Sequence, residues 1–200
     1  METIDTIDAL EALYDEAFQG ALDKVQSALT PAYRTWIERS RFCILSTVGP
    51  EGTDASPRGD VDPVVRIAGP TTLLMPDWRG NNRLDSLRNI VRDGRVSLMF
   101  MIPGSDTVVR VNGDAKLTAD AGLCAQFEHK GKTPRTVIVV ELREVYFQCA
   151  KALMRSALWS AEHDLEGLPT AGVFLREVNE GFDAESYDAG YAEYAAPRMW

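Results

Sequence analysis

The stretch PDWRGNNRLDSLRNI, residues 76–90, sets Gly80, Asn81, Asn82 and Arg83 where the apolar run TTLLM ends and a helical pattern begins. Gly80 allows backbone conformations barred to other residues and lets the chain approach a ligand closely. The free N–H groups of a helix N-terminus favour an anion. Asn81 and Asn82 add amide donors, Arg83 a forked guanidinium and Ser86 a hydroxyl one turn on. The combination reads as a phosphate cradle. The competing reading is an Asn-capped helix whose Arg83 pairs with Asp77 or Asp85. A P-loop is excluded, because the Gly-Lys-Ser/Thr ending is missing, and so is the GxGxxG spacing of dinucleotide sites.

A second basic point stands upstream, in DASPRGD, where Ser56 and Arg58 close an extended run followed by Gly59. Adjacent strands of a closed meander can set this arginine beside the loop of the 80s. Further along, Arg110 lies on a strand near a turn, read either as a surface arginine or as a ligand-edge or subunit contact. Lys151 and Arg155 fall four residues apart on one helix face, where they suit a phosphate or carboxylate across an interface and equally a solvated surface. Met75, Trp78 and Trp159 are candidate walls for a flat ring, against the commoner use of such residues in a core. His129 and His163 are too few and too isolated for a metal site. No Ser-His-Asp order and no paired catalytic carboxylates stand out.

The elements that must position these residues follow from periodicity. IDALEALYDEAF puts Ile7, Leu10, Leu13, Tyr14 and Phe18 on one helical face, and Thr30-Pro31 supplies an N-cap followed by proline at the first helical position. From RFCILSTV onward, short β-rich runs alternate with turn signals such as GPEG, which predicts a hairpin to TDASPRG. SLRNIVRD, DAGLCAQFEHKGK and AKALMRSALW read as helices, and RTVIVVELREVYF as the last long strand. Tight turns between strands favour an antiparallel meander, and closure removes its exposed edges. The expectation is a mainly β, α+β fold: an antiparallel six-stranded barrel with peripheral helices. It divides into a helical arm over 1–40, the barrel over 41–160 and an acidic arm over 161–200 that packs on the barrel or a partner. In that last arm Tyr187, Tyr191 and Tyr194 share a helical face, and the arm either packs structurally or ends at the ligand site.

Composition bounds the function. The chain has 200 residues, 45% hydrophobic and 26% charged, which suits one folded domain with arms. The net charge of −9 argues against nucleic acid as a partner. The balance inverts locally, with five arginines against three aspartates between Pro76 and Arg95. No apolar run is long enough for a bilayer, and the acidic N-terminus lacks the pattern of a signal peptide, so no membrane and a cytoplasmic setting are expected. Cys43, Cys124 and Cys149 form an odd set without metal spacing and are expected to stay reduced.

SPRGD at 56–60, LLMPDWRGNNRLDSLRNI at 73–90, RVSLMFMIPG at 95–104, RVNGDAKL at 110–117 and CAKALMRSALW at 149–159 together resemble the pyridoxamine 5′-phosphate oxidase-related, FMN-binding split-barrel family, in an uncharacterised bacterial subfamily. The resemblance implies a split-barrel homodimer with the FMN phosphate held by basic and hydroxyl residues near the subunit interface. Arg58 and the set Asn82, Arg83 and Ser86 fall where those contacts are made. It further implies an FMN-dependent oxidoreductase acting on a small molecule, with reduced nicotinamide as one electron source. The chain departs from the family in carrying GNNRLDS in place of the oxidase's SRK phosphate motif and Gln148 where the subfamily often has His. The oxidase's pyridoxal-binding C-terminal residues have no counterpart. A non-catalytic flavin carrier or sensor, and a barrel binding another phosphate-bearing cofactor such as a deazaflavin, remain open alternatives.

Overall fold

A computed structural model describes residues 1–160 and 165–200; His163 lies outside the described residues. Seven strands form one antiparallel sheet: β1 (Phe42–Gly49), β2 (Gly52–Gly59), β3 (Arg66–Ile67), β4 (Thr72–Asp77), β5 (Arg95–Met101), β6 (Val108–Thr118) and β7 (Thr136–Gln148). Their order across the sheet is β2-β1-β5-β6-β7-β4-β3. The expected barrel of six strands gains a seventh, since Arg66–Ile67 pairs with Leu73–Leu74 for two residues only.

Alternation explains the core. Cys43 and Leu45 on β1, Val96, Leu98 and Phe100 on β5, and Val109, Val111 and Ala115 on β6 all turn inward, with Ile138, Val140 and Leu142 from β7. At Asn112/Gly113 the β6–β7 register shifts by a bulge. A side chain at Gly113 would sit 2.2 Å from the Glu141 carbonyl oxygen, so only glycine lets the two longest strands cross this closely. The bulge bends the sheet toward closure.

The helices α1 (Ile7–Glu11), α2 (Gln19–Asp23), α3 (Pro31–Ile37), α4 (Asp85–Arg92), α5 (Ala121–Ala125), α6 (Lys151–Ser156), α7 (Ala171–Val178) and α8 (Ala184–Ala195) surround the sheet. Thr30 caps α3 as expected, accepting from the Tyr33 N–H, a contact that stabilises a helix by about 1 kcal/mol. Ile37 at the end of α3 is fully buried in the core. Packing within the N-terminal 40 residues is uneven. Ile7, Leu13, Tyr14 and Phe18 are exposed, whereas Leu29, Tyr33 and Ile37 pack against the core. Of the helical face expected over Ile7–Phe18 only α1 (Ile7–Glu11) is helical, and α2 starts after it at Gln19.

α4 lies on β1 through Ser86, Asn89 and Ile90, with Asn89 donating to Thr47 Oγ1 at 3.1 Å inside the interface. α7 and α8 form a hairpin in which Asp188 accepts from the Gly172 N–H at 2.9 Å and from Thr170 Oγ1. Tyr187 and Tyr191 lie 5.7 Å apart on α8, while Tyr194 stands exposed with Arg198 over its ring. No helix among the described residues is long and apolar enough to cross a membrane.

Candidate functional site

The sheet curls until its two ends nearly meet, and between them opens a cleft of about 1350 Å³. One wall is β2. Asp54, Ser56, Arg58 and Asp60 alternate inward from it while their neighbours face solvent. The opposite wall is the end of β4 with the loop Trp78–Leu84, and the start of β7 with residues 132–136 closes the side.

Arg58 crosses the cleft and pairs with Asp77 at 2.7 Å, each side chain only 18% exposed. Among the described residues its Nε–H is buried without an acceptor, and the Thr136 Oγ1 on the same lining is buried without a partner. A buried donor left unsatisfied costs roughly 1–3 kcal/mol, so the cleft holds polar groups that a bound oxyanion would satisfy. That donor set fits a phosphate-bearing cofactor. Beneath Arg58, its strand partner Cys43 is a core residue whose thiol burial pushes up to about 12, against a smaller opposing pull from Arg58. Cys43 is no nucleophile.

The loop of the 80s is built differently from the sequence expectation. α4 begins at Asp85 rather than at the glycine. Asn82 (φ 61°) and Leu84 (φ 62°) take left-handed conformations, and Leu84 sits at the N-cap with no side-chain bond. Asn81 Oδ1 accepts from the Arg83 N–H at 3.0 Å, so its side chain shapes the loop. Arg83, 74% exposed, pairs with Asp85 at 2.9 Å. Ser86 is buried and donates to Asp54. Ser56, Arg58, Asn81, Asn82, Arg83 and Ser86 do line one cleft. Acidic neighbours already occupy three of them: Arg58, Arg83 and Ser86.

The remaining candidates lie elsewhere. Met75 is fully buried in the main core, because β4 is covered on both faces there, and it is absent from the cleft lining. Trp159 donates to the Ser105 carbonyl at 2.8 Å and is absent from the cleft lining. Arg110 stacks over Tyr146 at 5.3 Å, near the end of β7 away from the cleft. Lys151 and Arg155, on α6 just past that end, are exposed. The chain therefore holds two basic sets at opposite ends of β7.

Sequence reasoning missed several contributors, Asp54 and Thr136 among them. Asp60 and Trp200 line the cleft, as do Arg79 and Arg135. Arg79 was visible in the local arginine excess. Trp200 was not singled out, although the arm that carries it had ending at the ligand site as one of its two readings. Among the described residues no cluster of His, Cys, Asp and Glu could hold a metal.

The family model described as pyridoxamine 5′-phosphate oxidase matches residues 29–149, more than half of the chain. The chain belongs to the pyridoxamine 5′-phosphate oxidase family. The match spans β1 to β7 and ends before the helical hairpin, so the family segment contains both walls of the cleft but not Trp200. No curated protein matches the chain. Among solved structures, a variant of HupZ from Group A Streptococcus is similar at 14% identity and TM-score 0.50, covering 60% of this chain and 98% of its own. An FMN-binding protein from Syntrophomonas wolfei is 17% identical, with TM-score 0.42 over 71% of this chain and 92% of its own. General stress protein 26 from Bacillus anthracis is 15% identical, with TM-score 0.45 over 57% and 88%. The HupZ likeness supports the mainly antiparallel split-barrel fold that this family shares.

Proposed function

We propose that the protein is an FMN-binding flavoprotein that acts as an oxidoreductase on a small molecule, as a homodimer in the cytoplasm. The observation that carries this reading is the cleft between β2 and β4, where Arg58 Nε and Thr136 Oγ1 lack partners inside a site built by the family's own segment. Bound FMN would supply two-electron chemistry at its ring, and the protein supplies position and electrostatics.

Arg58 and Arg83 would bind the phosphate, each exchanging one carboxylate contact for a charge-assisted bond to the ligand. Exchange costs Arg83 little, because its pair with Asp85 is largely in water. Asn82 and Ser56 would orient the ester oxygens.

A visible spectrum and the mass of the bound ligand test the cofactor. FMN is expected, with riboflavin binding far more weakly because it lacks the phosphate. A deazaflavin mass, or equal affinity for riboflavin, defeats the assignment. Turnover of NADH or NADPH with an electron acceptor separates an enzyme from a carrier. A loaded protein that oxidises neither is a carrier or sensor.

A further inference from the structure

Asp77 stands between the two orphaned groups of the cleft. It accepts from Arg58 Nη1 at 2.7 Å across the opening, and its ladder partner on β7 is Thr136. Among the described residues, Arg58 Nε and Thr136 Oγ1 are both buried without a partner. The cradle thus already holds an anion of its own, and that carboxylate fills one edge of the guanidinium while Nε stays bare.

The other charged groups on the lining are differently placed. Asp54 accepts from Ser86, and Asp60 accepts from Trp78 Nε1 at 2.7 Å and from Trp200 Nε1 at 3.4 Å. Lys132 donates to the Pro197 carbonyl at 2.7 Å, while Arg79 and Arg135 are exposed. Arg83 and Asp85 pair largely in water. Only in the Arg58–Asp77 pair, with each side chain 18% exposed, does a ligand have to break a mostly buried contact.

That exchange sets a charge requirement. An incoming anion takes Arg58 from Asp77 and leaves a carboxylate without its partner on the same wall. A monoanion gives the guanidinium no more charge than it had, and then meets the released carboxylate as a like charge. A phosphomonoester in its dianionic form brings a second charge and three acceptor oxygens, enough for Arg58, Thr136 and Arg83 together.

We propose that Asp77 is a selectivity residue: it makes the cleft take a dianionic phosphomonoester and reject groups of single charge, such as a phosphodiester or a carboxylate. The proposal rests on the flavoprotein reading only for the identity of the ligand.

The test is titration of the full chain by flavin fluorescence at two pH values. Between about pH 7.5 and about pH 5 the dianionic share of FMN falls roughly tenfold. Wild-type affinity is expected to fall by that factor, and that of Asp77→Asn by less than about threefold. Every other titrating group is shared by the two proteins, so the difference in slope reports Asp77. The methyl ester of FMN, a phosphodiester, should bind wild type roughly tenfold more weakly than FMN at the higher pH. Asp77→Asn should narrow that gap, Asp77→Glu should keep it, and riboflavin should bind wild type and Asp77→Asn alike. Equal wild-type affinity for FMN and its methyl ester overturns the proposal without any variant. So does a slope for Asp77→Asn as steep as that of wild type, or an equal loss of FMN and riboflavin, which makes Asp77 structural only. If wild type takes up no flavin, calorimetry with inorganic phosphate against dimethyl phosphate decides. A preference for inorganic phosphate that Asp77→Asn loses keeps the assignment and defeats the flavin reading alone, whereas no preference defeats both.

Discussion

Arg58 of β2 and Asp77 of β4 form a 2.7 Å ion pair between strands that four others separate in the sheet order. The pair closes the curl of the sheet at the place where its backbone ladder does not. Trp78 to Asp60 repeats the link one step outward. Fold closure and cleft chemistry therefore use the same side chains.

Replacing Arg58 alone strands a half-buried carboxylate. Arg58→Met is expected to lower stability by about 1–3 kcal/mol, the cost of an unsatisfied buried polar group. Adding Asp77→Asn should recover part of the loss, since the second change removes the unpaired charge. Urea unfolding midpoints of the two variants decide it. An unchanged midpoint for Arg58→Met would mean that the pair contributes nothing to closure.

Arg83 and Arg88 separate the cradle from an ordinary charged helix. Arg83 lines the cleft, whereas Arg88, on α4, is exposed and outside it. Arg83→Ala is expected to weaken FMN by about 1.5–3 kcal/mol, the range for a charge-assisted hydrogen bond. Arg88→Ala should change it much less, and neither should move the unfolding midpoint appreciably, as both are solvated. Flavin fluorescence titration measures the difference, and equal affinities would remove Arg83 from the site.

Much of the scaffold was legible because it depends on local rules. GPEG makes the predicted hairpin, with Gly49 opposite Gly52, and Thr30-Pro31 starts α3. The cleft was half legible, since Arg58 and the loop of the 80s do converge. Of its acids, Asp85 was foreseen as a partner of Arg83, whereas Asp54 and the Arg58 partner Asp77 act through contacts between distant segments. The start of α4 also escaped, as two non-glycine residues in left-handed conformations leave no compositional mark. Trp200 escaped for a third reason: 140 residues separate it from Asp60.

Asp93 offers a local check on the charge pattern. Side-chain and backbone hydrogen bonds from Arg95 hold its carboxyl down to about 2. A depressed folded-state pKa contributes stability that is present above the ordinary aspartate range. That contribution is lost as the pH falls from about 4 through about 2. Carboxyl chemical shifts should place the Asp93 midpoint near the lower value. Asp93→Asn should flatten the acid side of the stability curve in that window. A midpoint in the usual aspartate range would show that the Arg95 contacts are broken in water.

The two basic sets lead to the sharpest prediction. Arg58 and Arg83 lie at the cleft, while Lys151 and Arg155 follow the far end of β7, a 13-residue strand on the order of 40 Å long. One FMN cannot touch both sets in a single protomer. If both serve the cofactor, the second set must come from a partner chain, with two equivalent sites across a two-fold axis. Arg58→Ala chains and Lys151→Ala/Arg155→Ala chains should then each bind FMN poorly alone. Unfolded together and refolded, they should form mixed dimers in which one site carries both wild-type sets and the other neither. Random pairing of equal amounts gives roughly one FMN per four chains. Size-exclusion chromatography with flavin absorbance reads both the dimer and its flavin content. Flavin content no higher than that of the separate variants would show that the α6 cations belong to no shared site. A monomer that retains tightly bound FMN would show that the cleft of one chain is enough.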